Sequence, residues 1–147
     1  MARPDFISIP LFIHIIGAMV LIGGLLVAAT SVLVARGDGR PLRLGYMGLL
    51  AVALPGYVVM RIGAEWTYAK EHLGDLPGGD PTWIGIGYIT ADIGGLLLLI
   101  SLIAGYFGLR RMRGGGGTGL LRGTLYISVL LLAAYVVTIW AMAGKPN

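Results

Sequence analysis

Four stretches of the chain are nearly unbroken apolar runs: Phe6 to Ala35, Leu44 to Met60, Trp83 to Leu109 and Leu125 to Ala143. Each is near or above the ~20 residues that a helix needs to cross a hydrocarbon core. The runs are continuous rather than alternating and lack a turn signal after roughly every ten residues, which argues for helices and against a β-barrel. The pattern predicts an all-α polytopic membrane protein, a four-transmembrane-helix bundle in one membrane domain with spans over 6–35, 44–60, 83–109 and 125–143. The second run is the shortest and holds Pro55 followed by Gly56. A proline removes a backbone donor and clashes with the preceding turn, so a kink or local unwinding is expected there.

Composition narrows the class. Of 147 residues, 56% are hydrophobic and 12% charged, with mean hydropathy +0.84, where a soluble domain carries about a quarter charged residues. The absence of cysteine excludes a disulfide framework, a thiolate metal site and a cysteine nucleophile. The Arg3 and Asp5 amino end leads into an apolar stretch much longer than a signal-peptide core, so the first helix is expected to be retained.

The polar connections set an expected orientation. Arg36, Arg40, Arg43, Arg110, Arg111, Arg113 and Arg122 are seven of the eleven basic residues, and the two loops that hold them contain one acid, Asp38. The middle loop, 61–82, carries Glu65, Glu71, Asp75 and Asp80 against Arg61 and Lys70. The positive-inside rule then places the arginine loops in the cytoplasm, with both termini and the 61–82 loop outside a plasma membrane that the chain crosses several times. The formal charge of +4 is explained by that asymmetry, and nucleic acid is not an expected partner. The glycines at 114–117 read as a flexible linker, since no Lys-Ser/Thr pair follows to make a phosphate loop.

Small residues should guide packing. On the first helix His14, Gly17, Leu21, Gly24 and Ala28 recur at spacings of three and four, a stripe expected to face the bundle. The third helix offers Gly85, Gly87, Ala91, Gly94 and Gly95 in its outer half, and the fourth offers Ser128, Tyr135 and Thr138, with Thr124 just before, as groups that hydrogen-bond across helices. Glycine-rich faces of this kind also allow a homo-oligomer. Trp66, Trp83 and Trp140 are expected to form an aromatic belt at the outer boundary, and His72 to be solvated in the outer loop.

Ionisable groups inside a membrane are costly and therefore candidates for function. Two stand within the apolar runs, His14 and Asp92, eight and nine residues from the ends at Phe6 and Trp83, or roughly 12 to 14 Å deep. Tyr135 reaches the same level from the fourth helix, and Tyr57, Arg61, Glu65 and Tyr68 form a polar stripe on the second. The expected cofactor- or ligand-binding set is His14, Asp92, Arg61, Glu65, Tyr57 and Tyr135. Asp92 needs a partner to stay charged; His14 is the first candidate, directly or through one water, and Arg61 the second. His14 is also the candidate axial ligand to a metal. A single imidazole suits haem b with a second axial position left to water, methionine or another chain. Copper(I) held by His14, Met60 and Met142 is the weaker alternative.

Three function classes stay open: a small-cofactor or ligand site, haem-linked redox among its forms; an assembly partner in which the polar groups only fix helix register; and a transport accessory for a small molecule or metal. No Ser-His-Asp arrangement, HExxH motif or nucleotide loop points to a hydrolase, and no reaction follows from the residues.

The segment from Phe12 through His14 and Gly17 to Gly23 and Gly24 resembles the opening helix of an uncharacterised family of small, actinobacterial-type four-helix membrane proteins. It also looks like the opening helix of the copper-resistance D proteins and of HemJ-type membrane protoporphyrinogen oxidases. The blocks from Met60 through Arg61 and Glu65 to Tyr68, and from Asp80 through Trp83 to Gly87, are similar to the uncharacterised family. The resemblance implies a bacterial multi-pass protein. HemJ-type haem binding would carry over to His14 alone, because no intramembrane lysine matches the one that family places beside its haem.

Overall fold

The computed structural model describes residues 8–144. The start of the first span at Phe6, the Arg3 and Asp5 pair and both chain ends lie outside the described residues. Four helices are long and apolar enough to cross a membrane: α1 (Ile9–Val34), α2 (Gly39–Lys70), α3 (Thr82–Arg113) and α4 (Gly119–Gly144). They form an all-α four-helix bundle, as the apolar runs predict.

The second span is far longer than its hydropathy suggests, beginning at Gly39 rather than Leu44 and ending at Lys70 rather than Met60. Its start is fixed by Asp38, whose side chain accepts from the Arg40 amide at 3.0 Å and so satisfies one of the free N–H groups of the first turn. Its far end stays helical through polar residues, with Arg61 and Glu65 paired one turn apart at 3.3 Å. A hydropathy window registers neither a cap nor an ion pair.

The expected disturbance at Pro55 takes the form of a π-helical turn over Leu49–Ala53. The Leu54 amide closes it by bonding to the Leu49 carbonyl, five residues back. Pro55 then falls in the first turn of the resumed α-helix, where its missing N–H is tolerated.

Helices α1 and α2 approach backbone to backbone, and glycines make this possible. A Cβ on Gly17 would stand 2.1 Å from the Met60 nitrogen, and one on Gly24 2.4 Å from the Ala53 nitrogen. In the other direction, a Cβ on Gly56 would meet Leu21, and one on Gly63 would meet His14, each at 2.4 Å from the nitrogen. The pairs run in opposite senses along the two helices, an antiparallel zipper two turns in period. Gly17, Leu21, Gly24 and Ala28 are buried, so the stripe faces the bundle as its spacing predicts.

The α2–α3 seam is built differently and is the loosest edge between helices adjacent in sequence. Long side chains span it. The Tyr46 hydroxyl donates to the Leu102 carbonyl at 3.0 Å with its ring over Gly105, and the Tyr57 hydroxyl donates to the Ala91 carbonyl at 2.9 Å with its hydroxyl end over Gly95. At this seam Gly95 and Gly105 of α3 therefore receive tyrosine, whereas Gly17 and Gly24 of α1 receive backbone. The hydroxyls of α4 depart from the cross-helix bonding expected of them. Thr124, Ser128 and Thr138 each donate to a carbonyl of their own helix, those of Leu120, Leu125 and Ala134. This local bond needs no precise neighbour.

Candidate functional site

Where α2 and α3 stand apart, at the end of the bundle opposite the arginine loops, the four helices enclose a cavity of about 300 Å³. That is the lower end of the range for small-molecule sites, roughly 300 to 1,000 Å³. On α1 its wall runs from Leu11 to Ile22, which at 1.5 Å per residue is ~16 Å along the bundle axis. Most of the wall is aliphatic and aromatic. Its polar residues are separated by height: Tyr135 and Thr138 from α4 in the interior, His14, Arg61 and Tyr88 above them, and Thr67, Tyr68 and Glu71 toward the connecting loop.

His14 Nδ1 lies 2.9 Å from the Met60 carbonyl oxygen. A carbonyl can only accept, so Nδ1 carries a proton and donates it, and Nε2 is the ring nitrogen not used in this bond. Gly63 permits this contact by letting the two backbones meet at His14. Met60 and Met142 also line the cavity, which brings the three residues of the expected copper(I) set to one chamber.

Tyr135 is 5% exposed, and its hydroxyl is buried with no hydrogen-bond partner. The ring end lies against Gly94, where a Cβ would stand 2.5 Å from the hydroxyl oxygen. A buried hydroxyl left without a partner costs about 1–3 kcal/mol. Other atoms of Tyr135 line the cavity, while the hydroxyl oxygen itself is sealed against Gly94.

The expected pairing of Asp92 with His14 is not what the structure contains. Asp92 Oδ1 lies 2.8 Å from Arg61 Nη2, and the Asp92 side chain is 63% exposed. The level is right, since His14 and Arg61 face the cavity from adjacent turns of α1 and α2, but the direction is wrong. Ile84, Gly87, Tyr88 and Ala91 supply the α3 wall, and residue 92, about 100° further round the helix, points out of it. Glu65 also leaves the expected set, half-exposed and joined to Arg61 from outside the cavity wall. Tyr57 is spent on the Ala91 carbonyl. Thus His14, Arg61 and Tyr135 come together on one chamber, while Asp92, Glu65 and Tyr57 brace its edges.

Tyr88 is a site residue that sequence reasoning missed. The Arg61 guanidinium sits 5.1 Å from its ring centroid, and the Tyr68 ring meets it edge-on with centroids 5.7 Å apart. Its spacing of four from Asp92 was the available signal: one long arginine reaches both from α2. Tyr68 in turn donates to Asp80 at 3.1 Å, tying α2 to the loop before α3. Trp66 and Trp140 face outward, 49% and 71% exposed, as a belt requires. Trp83 instead lines the cavity. His72 is 79% exposed, 3.7 Å from Asp75, in keeping with a solvated loop histidine.

Fold and site together define a small multi-pass membrane protein with an interior, mostly apolar chamber at one end. No family model, curated protein or solved structure matches the chain.

Proposed function

We propose that this protein binds a small, largely apolar molecule within the membrane, in the chamber bounded by His14, Arg61, Tyr88 and Tyr135. The observation that carries this reading is the chamber itself, about 300 Å³ bordered by all four helices and walled mostly by aliphatic and aromatic side chains. Native mass spectrometry of the protein released from detergent should show a bound small molecule, and Ala64→Phe, which fills the chamber from α2, should remove it. Equal ligand-free spectra for both proteins from cells and from lipid-supplemented preparations would overturn the reading.

A second reading has its own support. His14 holds its Nδ1 proton on a backbone carbonyl, the arrangement that orients an imidazole to ligate iron or copper through Nε2, and Met60 and Met142 offer thioethers nearby. The likeness of the first helix to haem- and copper-handling families supports it too. On this reading the purified protein has a Soret band, or bound copper, that His14→Ala loses.

Orientation belongs to the same proposal. With seven arginines at one end of the bundle, that end faces the cytoplasm and the chamber lies in the outer half of the membrane. Single cysteines at 38 and 116 should resist an impermeant label in intact cells, and one at 75 should react quickly. The opposite pattern would turn the chamber toward the cytoplasm.

A further inference from the structure

Three helices mark one height in the membrane. Arg61 stands 18 residues beyond Arg43 on α2, Asp92 stands 18 before Arg110 on α3, and Trp140 stands 18 beyond Arg122 on α4. At 1.5 Å per residue each interval is about 27 Å, close to the ~30 Å of a hydrocarbon core. With the arginine loops at one boundary of that core, the Arg61–Asp92 bridge and Trp140 lie at the other, where headgroups begin. The chamber straddles this level. Tyr135 on its wall is about 8 Å below the bridge, among acyl chains, and Trp83 about 13 Å above it.

The same level is where the bundle is weakest at its side. Helices α1–α2, α1–α4 and α3–α4 pack closely, and α2–α3 does not. Beside the chamber this edge is crossed by Tyr57 on the Ala91 carbonyl and, one turn higher, by Arg61, which reaches Asp92 at 2.8 Å and the Tyr88 ring at 5.1 Å. Above the bridge Tyr68 shuts the edge, edge-on to Tyr88 and bonded to Asp80. A long arginine side chain changes rotamer without moving a helix, and its two carboxylates, Asp92 and Glu65, are 63% and 53% exposed. The bridge can therefore turn outward among headgroups and open the chamber to the leaflet.

Resting on the binding role proposed above, we infer that the occupant is one acyl chain of a membrane lipid, taken from the leaflet opposite the arginine loops and admitted sideways between α2 and α3 at the Arg61–Asp92 bridge. The upper half of the chamber sets an apolar wall at headgroup level, so a chain that fills it removes apolar surface from a wet zone. Lower down the chain leaves surroundings as apolar as the wall, and what it gains is the contacts that an empty space denies the lining. At no point does the chain cross water. The headgroup stays at the boundary, where Arg61 offers a cation and Asp92 and Glu65 offer anions.

Photolabelling in phosphatidylcholine vesicles tests both the occupant and its route. One preparation carries a trace of phosphatidylcholine with a diazirine on an acyl chain; a second carries the small apolar carbene source 3-trifluoromethyl-3-phenyldiazirine. Leu96 and Leu99 face outward and should be labelled in both. Met60 and Ile84 are buried and line the chamber, Ile84 well above the bridge, so lipid adducts there report a chain inside. They should appear with the lipid probe and fall at least tenfold in Ala64→Phe. The chain has no cysteine, so Arg61→Cys with Asp92→Cys can be joined by a bis-methanethiosulfonate in delipidated protein before reconstitution. That staple should cut the Met60 and Ile84 adducts at least tenfold against the unstapled double variant, and reduction should restore them. Adducts from the small probe without adducts from the lipid would overturn the acyl chain while the chamber remains a binding site. Lipid adducts indifferent to the staple would overturn the α2–α3 route. If neither probe labels Met60 or Ile84, or if Ala64→Phe leaves both patterns intact, the binding role itself falls.

Discussion

Gly24→Ala will cost the protein its fold or most of its stability, while Gly23→Ala, one residue away on the same helix, will be tolerated. The added atom is the same methyl group in both cases. At position 24 it would lie 2.4 Å from the Ala53 nitrogen and 2.7 Å from the Ala53 Cα. Those atoms belong to the α2 backbone and have no rotamer to retreat into, so α1 and α2 must separate. Separation also loosens Gly17 against Met60, Gly56 against Leu21 and Gly63 against His14, because the same two rigid helices carry all four contacts. Overpacking of a well-fitted interior costs about 1–3 kcal/mol, and more where backbone must move. A loss of about 3 kcal/mol or above is expected, seen as aggregation on size-exclusion chromatography or a collapse of the thermal midpoint in detergent. At position 23 a Cβ meets nothing within 4 Å, and alanine's better helix propensity makes the change neutral or mildly stabilising. A Gly24→Ala protein as stable as the parent would mean that the two helices do not touch here.

This contrast also marks how far the sequence could be read. The spacing from His14 to Ala28 identified the α1 face correctly, since the 3.6-residue period selects Gly24 and rejects Gly23. The same arithmetic on α3 was within reach. Ile84, Gly87, Ala91, Gly94 and Leu98 form the buried stripe, and Asp92 and Gly85 fall out of phase with it. Depth alone paired Asp92 with His14; the helical phase of its neighbours would have turned it toward Arg61. The true length of α2 was not available from hydropathy, because the Asp38 cap and the Arg61–Glu65 pair are polar devices that extend a helix through polar sequence. Nor could the role of Tyr135 be read from the chain. Tyr46, Tyr57 and Tyr135 look alike as isolated tyrosines in apolar helices, and they differ in whether a carbonyl of α3 lies under the hydroxyl, which depends on how α2 and α4 each pack against α3.

Tyrosine to phenylalanine at these three positions should therefore change stability in opposite directions. At Tyr57 the substitution removes a 2.9 Å bond to the Ala91 carbonyl, and at Tyr46 a 3.0 Å bond to the Leu102 carbonyl. Each carbonyl can keep its own helix's amide as donor, so the loss is that of one ordinary hydrogen bond, about 1 kcal/mol. Both variants should unfold at lower temperature than the parent. Both should also weaken the α2–α3 seam, where these side chains replace close helix contact. At Tyr135 the hydroxyl has no bond to lose. Replacing it with a ring hydrogen removes a desolvated polar group and leaves the packing against Gly94 in place, so the ligand-free protein should gain about 1 kcal/mol, with a raised thermal midpoint. The decisive measurement is the thermal midpoint of delipidated, ligand-free protein in one detergent for all three variants. If Tyr135→Phe falls with the other two, its hydroxyl is bonded within the bundle.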